Sequence, residues 1–109
     1  HRYRVNLAEN KKIKMMEVKE GNKCVYHIFP IFIRNRNSIQ QSLLSEGIQT
    51  GLHYPKSIHL QKAYKHLNHK RGDFPIAERQ ASTELSLPMY PEITKAEIDY
   101  VCKKLEKVI

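Results

Sequence analysis

The sequence is short of cysteine and glycine, has no tryptophan and contains no long hydrophobic run. Its two cysteines, Cys24 and Cys102, lie far apart in a chain without a signal-like apolar segment. No disulfide framework is indicated, and we expect a reduced, cytoplasmic setting. The longest strongly apolar stretch, residues 24–33, has about ten residues, whereas a membrane-spanning helix needs about 20. The sequence therefore predicts no membrane partner.

Acidic side chains are scarce relative to basic ones, since 11 acidic against 19 basic residues give a net charge of +8. This excess suits a polyanion, a phosphorylated ligand or simple solubility, and the charge alone does not choose among them. The 109 residues are enough for about one compact domain whose core needs no disulfide. We expect no deep active-site cleft built from this chain alone.

Apolar and β-branched residues predict short strands at residues 24–33, 48–52 and 85–87, after a linker over residues 11–21 that contains a short extended piece. Pro30 has no amide hydrogen, so the first of these strands is expected at a sheet edge or with a bulge. Pro55 is expected to hold Tyr54 in an extended conformation.

Helices are predicted at residues 2–7, from Asn37 or Ser38 to Gly47, around residues 60–67, and after a cap at Asp73. The helix after Asp73 is expected to bury a stripe formed by Ala77, Ala81 and Leu85. The strongest helix signal is the last, where Thr94 and Glu97 form a capping box. It precedes an apolar face made of Ile98, Val101, Cys102, Leu105, Val108 and Ile109.

These elements predict an α+β fold with two layers, in which helices cover a small antiparallel or mixed three-stranded sheet. Four motifs then occur in a fixed order: GLHYP, IHLQ, GDFP and LSLPMYPE. With them, the chain resembles the C-terminal small domain of the DegT-like nucleotide-sugar aminotransferases, which are enzymes of fold type I that depend on pyridoxal phosphate (PLP). The resemblance divides the chain into the end of an interdomain helix with a linker, residues 1–21, and the small domain, residues 22–109.

The resemblance implies a homodimeric parent enzyme that transfers an amino group, usually from glutamate, to a keto group of a nucleotide-linked sugar. Such enzymes serve cell-surface polysaccharide or secondary-metabolite biosynthesis. In the family, the lysine that forms the Schiff base with PLP belongs to a large N-terminal domain, and no lysine here has its sequence context. We therefore expect this chain to be a fragment that is inactive alone, binds no PLP and has no catalytic residue. The identity of the sugar, the position that is aminated and a dehydratase alternative stay open.

The HYP motif maps onto His53 and Tyr54, which the resemblance implies are substrate-binding residues that contact the sugar. Their neutral donors and acceptors suit sugar hydroxyls, and the end of a strand is a rigid place from which to present them. The alternative is that both side chains pack against the edge of the sheet.

Two other histidine patterns are weaker. Cys24 and His27 have the chemistry of a nucleophile and a base, but residues three apart on a strand point to opposite faces. His27 is instead expected to be a core histidine. The histidines between residues 53 and 69 lack the ligand spacing of structural zinc sites, so no metal is predicted; they are His53, His59, His66 and His69.

A run of basic residues without an acid leaves open a second class of function, a free-standing module that binds nucleic acid or another anionic partner. It consists of Lys56, Lys62, Lys65, Lys70 and Arg71, with Tyr64 among them. No nucleic-acid-binding motif accompanies the charge, so a solvated basic face is the preferred interpretation. The same residues are alternatively expected to steer anionic sugar nucleotides.

Overall fold

A small antiparallel sheet organises the chain, and the computed structural model describes residues 2–109. Within these residues the sheet has three strands in the order β1-β2-β3, namely β1 (Lys14–Met15), β2 (Phe29–Phe32) and β3 (Glu84–Leu87). Strand β2 pairs with β3 from Phe29 opposite Leu87 to Phe32 opposite Glu84. The predicted α+β fold with a small three-stranded sheet is confirmed.

Four α-helices accompany the sheet within the described residues: α1 (Arg2–Leu7), α2 (Arg36–Ser45), α3 (Pro75–Thr83) and α4 (Lys95–Val108). Two 3-10 helices, Ile58–Leu60 and Lys62–Leu67, occupy the region where one short helix was predicted. No helix in residues 2–109 has both the length and the apolar character needed to cross a membrane.

Of the strand predicted over residues 24–33, only Phe29–Phe32 form a strand. Tyr26 has a φ of 49°, and this left-handed residue separates the chain before it from the extended β2 segment. Val25 is 87% exposed, and His27 is exposed as well, so the prediction of a core histidine is wrong. Tyr26 instead turns its ring onto Phe29, with 5.8 Å between ring centroids.

Pro30 lies in the central strand and not at the edge that was expected. Ser86, opposite Pro30, uses its N–H and C=O on Gly51, both at 2.9 Å, so it points its backbone groups away from β2. Pro30 and Ser86 therefore form a pair without mutual hydrogen bonds. The nitrogen of Pro30 faces the side of β2 on which β1 ends at Met15, so the missing donor leaves no gap in the sheet.

Three more predictions about local structure are wrong. Residues 48–52 form no regular strand, and their contribution to the sheet is the single bridge between Gly51 and Ser86. Helix α3 begins after Phe74 and has no buried residue, and Leu85 of the expected stripe belongs to β3. Asp73 does not cap the helix, because its carboxylate accepts the N–H of Lys70 at 2.9 Å.

The core lies on the face of the sheet that carries Phe29, Ile31, Leu85 and Leu87. Buried side chains of α1, α2 and α4 join these residues in one hydrophobic core. The predicted apolar face of α4 is confirmed, since each of its six residues is buried or half-buried. The capping box is confirmed too, because the Thr94 N–H donates to Glu97 Oε2 at 2.7 Å and Thr94 Oγ1 accepts the Glu97 N–H at 3.2 Å.

Helices α1 and α4 are also joined by polar contacts. Asp99 accepts Arg2 Nε at 2.5 Å, Arg2 Nη2 at 2.6 Å and Asn6 Nδ2 at 2.7 Å. The hydrogen bonds from Arg2 and then Asn6 lower the pKa of Asp99 to about 2.

The ring of Tyr3 packs on Phe29, with 4.9 Å between centroids, and its hydroxyl donates to the Pro88 carbonyl at 3.0 Å.

The core predicts a large cost for truncating Leu105, which is fully buried. Leu105→Ala should lower the free energy of unfolding by about 2–5 kcal/mol, because it removes apolar contacts and leaves a cavity. Urea denaturation followed by circular dichroism measures this change. The matched control is Leu44→Ala on α2, which is 54% exposed and should change stability by no more than about 0.5 kcal/mol. Equal losses for the two variants would contradict the assigned core.

The polar contact between α1 and α4 predicts a pH dependence. Because folding lowers the pKa of Asp99 from 3.8 to about 2, its contribution to stability is present above pH ~4 and is lost as the pH falls through about 2. Asp99→Asn should therefore be less stable than the wild type at neutral pH, and the difference should shrink as the pH approaches 2. Urea titrations from pH 7 to pH 2 measure the difference, with Glu106→Gln on the same helix as the control. A difference that is independent of pH would contradict the assignment.

Candidate functional site

The side chain of His53 is held by a pair of polar residues on β3. His53 Nδ1 lies 2.8 Å from Ser86 Oγ, and Ser86 Oγ donates to Glu84 Oε1 at 2.6 Å. The second carboxylate oxygen of Glu84 accepts the backbone N–H of His53 at 2.8 Å. Glu84 thus contacts His53 twice, once directly at the backbone and once through the Ser86 hydroxyl.

This arrangement follows from the two-residue period of a strand, which places Glu84 and Ser86 on the same face of β3. Both are buried, and the side chain of Glu84 is 8% exposed. A buried carboxylate needs hydrogen-bond donors, and both of its oxygens receive one. The backbone of Glu84 is fixed as well, because buried Arg36 donates from Nη1 to the Glu84 carbonyl at 2.8 Å.

Gly51 allows the imidazole to approach the sheet. A Cβ atom at this position would lie 3.3 Å from Cε1 and 3.7 Å from Nδ1 of His53. The Nδ1–Cε1 edge of the ring therefore lies against Gly51 and Ser86. The side chain of His53 is 41% exposed, so part of the ring is accessible, and with Nδ1 occupied by Ser86, Nε2 is the ring nitrogen left for a ligand.

Tyr54 follows with its side chain in solvent, at 79% exposure. Its φ of 54° lies in the left-handed region, so the extended conformation that Pro55 was expected to impose is wrong. This geometry is costly for a residue with a Cβ, and doubly so before proline. Backbone strain of this kind concentrates at functional sites, and here it occurs beside His53.

The segment after Tyr54 is tied to α3 by His59 and Glu78, both nearly buried. Glu78 Oε1 accepts the Gly72 N–H at 2.7 Å and lies 3.0 Å from His59 Nε2. The hydrogen bond from Gly72, followed by that from His59, lowers the pKa of Glu78. The ring of His59 also packs against Phe74, with 4.8 Å between centroids. His59 therefore holds the loop that follows Tyr54 against α3.

The remaining residues singled out in the sequence lie on the surface. The five cations of the basic run are all exposed, and Tyr64 is exposed among them. His69 pairs with Asp73 at 3.4 Å and packs edge-on against Phe74. Across residues 2–109, no group of three or more His, Cys, Asp or Glu side chains has an arrangement that would hold a metal ion.

His53 and Tyr54 are candidates in the sequence, whereas Glu84 and Ser86, which hydrogen-bond to the His53 segment, were not singled out there. One signal was present, because an acidic residue two positions before a serine, within an apolar strand, places two polar groups on one face. The pairing of that face with Gly51 follows from tertiary contacts, so it is absent from the local pattern.

The lysines of the chain do not fit a Schiff base with PLP, the cofactor that the resemblance implies. All are exposed except Lys104, which is half-buried. Lys104 Nζ is bound to the carboxylate of Glu46, and this hydrogen bond raises its pKa. A Schiff-base lysine needs an uncharged amine in an enclosed site, so none of these residues is suited to that role.

The chain is similar to proteins of one known family. Residues 1–106 match the model of the DegT/DnrJ/EryC1/StrS aminotransferase family. The chain is 34% identical over 104 residues to the erythromycin biosynthesis sensory transduction protein EryC1 of Saccharopolyspora erythraea, covering 95% of this chain. It is 30% identical over 105 residues to the dTDP-3-amino-3,6-dideoxy-alpha-D-galactopyranose transaminase of Aneurinibacillus thermoaerophilus, covering 96% of this chain.

The fold is similar as well. The crystal structure of S. venezuelae DesV in complex with a ketimine intermediate superposes with a TM-score of 0.90 over 96% of this chain, at 28% identity. The chain spans 28% of the length of each of these three proteins.

The left-handed backbone at position 54 predicts an inverted preference between glycine and alanine. Tyr54→Gly should be more stable than Tyr54→Ala by about 1 kcal/mol, because glycine adopts a positive φ without a Cβ clash. Chemical denaturation of both variants measures the difference. The control pair is Lys56→Gly and Lys56→Ala, at an exposed position without positive φ, where alanine should be equal or better. The same order at both positions would contradict strain at Tyr54.

Proposed function

The chain belongs to the DegT/DnrJ/EryC1/StrS aminotransferase family, which is PLP-dependent, and we propose that it is the C-terminal small domain of a nucleotide-sugar aminotransferase. The enzyme transfers an amino group, usually from glutamate, to a keto group on the sugar, in the synthesis of cell-surface polysaccharides or secondary metabolites. It works as a cytoplasmic homodimer. The similarity to a dTDP-amino-sugar transaminase supports this substrate class.

In this proposal, residues 22–109 are the small domain, and residues 1–21 are the end of an interdomain helix and a linker. Buried Tyr3 and Leu7 anchor that helix in the core of the small domain. PLP is held by parts of the enzyme that the relatives have beyond the segment matched here, because the lysines of this chain do not fit the cofactor. PLP supplies the amino-transfer chemistry when bound, whereas this chain contributes residues that contact the sugar.

The placement of His53 and Tyr54 carries the proposal. The ring of His53 is held at Nδ1 and its side chain is 41% exposed, and the exposed Tyr54 follows at a strained backbone position. An imidazole nitrogen and a phenol hydroxyl are neutral hydrogen-bonding groups, which match sugar hydroxyls without requiring charge on the sugar. Both side chains belong to one fixed segment, so they define the orientation of the ligand together.

A chimera tests this role. Residues 1–109 replace the matched segment of the Aneurinibacillus transaminase, and transfer from its dTDP-amino sugar to 2-oxoglutarate is followed by chromatography. We expect activity, and we expect His53→Ala and Tyr54→Phe each to raise KM for the sugar about tenfold, which is about 1.4 kcal/mol for a lost hydrogen bond. His27→Ala, at an exposed histidine outside the site, should leave KM unchanged.

The outcomes that would contradict the proposal are defined for the chimera and for the chain alone. A folded, PLP-binding chimera without activity would contradict the proposal, as would an unchanged KM in both site variants. The 109-residue chain alone, mixed with PLP and reduced with borohydride, should give no stoichiometric lysine adduct. A single stoichiometric adduct at one lysine would place the cofactor in this domain and contradict its assigned role.

A further inference from the structure

We propose that Glu84 and Ser86 are positioning residues that fix the tautomer of His53, so that its neutral ring presents Nε2 as a hydrogen-bond acceptor. The inference rests on the proposed function for the identity of the ligand, a sugar hydroxyl. The tautomer itself follows from the hydrogen bonds within the chain.

The Glu84 carboxylate determines where the Ser86 proton lies. An ionised carboxylate accepts hydrogen bonds and donates none. Its Oε2 accepts the His53 backbone N–H at 2.8 Å, and its Oε1 lies 2.6 Å from Ser86 Oγ. The hydroxyl of Ser86 has a single proton, and the carboxylate draws that proton toward itself. Ser86 Oγ is therefore left with lone pairs on the side that faces His53.

The direction of the next hydrogen bond is then determined. Ser86 Oγ and His53 Nδ1 are 2.8 Å apart, and one of them must donate to the other. Because the Ser86 proton is directed to Glu84, the donor is the N–H at Nδ1. A neutral imidazole has one N–H, so Nε2 carries the lone pair. An Nε2–H ring would instead present a hydrogen-bond donor at this position.

The position of the ring gives this tautomer a consequence. Nδ1 and Cε1 lie against Ser86 and Gly51 while the side chain is 41% exposed, so Nε2, on the Nε2–Cδ2 edge of the ring, is the nitrogen left for a ligand. A neutral ring with an acceptor at this edge accepts the proton of a hydroxyl group. It gives a fully ionised phosphate no donor, so within the proposed nucleotide-sugar substrate His53 selects the sugar and not the diphosphate.

The experiment reads the tautomer directly by long-range ¹H–¹⁵N NMR on the 109-residue chain, near pH 8, where an ordinary histidine is neutral. We expect His53 to be predominantly the Nδ1–H form. Exposed His27 in the same spectrum is the internal control and should keep one tautomer distribution in every variant.

Glu84→Gln is the sharpest variant because it changes charge and donor pattern with almost no change in shape. The His53 N–H requires an acceptor, so the amide oxygen of Gln faces it and the amide NH₂ faces Ser86 Oγ. The Ser86 hydroxyl then donates to Nδ1, and the His53 tautomer should reverse to predominantly Nε2–H. A residue with only a packing role would leave the tautomer unchanged.

Ser86→Ala is the second variant, and it should also remove the preference for Nδ1–H because it deletes the acceptor. The amide spectrum of β2 and β3 verifies that each variant is folded, and if Glu84→Gln unfolds the chain, Ser86→Ala decides. A predominantly Nε2–H ring in the wild type, or an unchanged Nδ1–H ring in the folded variants, overturns the inference. Such a result leaves the sugar transfer of the chimera intact, whereas an inactive chimera with the expected tautomers contradicts the proposed function alone.

Discussion

The pairing of Ser86 with Gly51 is the constraint on which the arrangement of the site depends. Both backbone groups of Ser86 bond to Gly51, so the hydrogen bonds of β3 alternate between β2 on one side and the residue 51 segment on the other. This pairing places His53, two residues after Gly51, beside the face of β3 that carries Glu84 and Ser86. Without the bridge, the segment would be an ordinary surface loop.

Side chains alternate between the two faces of the sheet along each strand, and the two faces have different roles. One face carries Ile31 and Leu85, both fully buried in the core that they share with α1, α2 and α4. The other carries Glu84 and Ser86, which are buried and hydrogen-bonded. A buried carboxylate is costly unless its lone pairs are satisfied, so the position of Glu84 depends on the donors that His53 and Ser86 supply. The three residues are therefore coupled, and each stabilises the buried state of the others.

Much of the fold could be predicted from the sequence where local signals agree with tertiary packing. The capping box at Thr94 and the spacing of apolar residues gave α4 correctly, and the approximate positions of α2 and β3 were predicted. The failures occur where single residues break a local rule. Tyr26 and Tyr54 take positive φ within sequences that read as extended, and no side-chain pattern encodes this. For the site, the motif with His53 and Tyr54 was recognisable, but the buried partners of His53 depend on a pairing between distant segments.

Hydrogen bonds to Glu84 and Glu78 restrain the strained backbone at Tyr54 from both sides. A residue held at a φ of 54° before proline needs neighbours that keep it there, because in isolation the chain would relax to an extended conformation. The hydrogen bond from the His53 N–H to Glu84 fixes the residue before Tyr54, and the contact between His59 and Glu78 fixes the segment after it. Both acids are buried enough for these bonds to be poorly accessible to water, so the strained residue is restrained from each side. The exposed hydroxyl of Tyr54 is thereby presented from a rigid segment, which reduces the conformational entropy that a ligand would have to remove on binding.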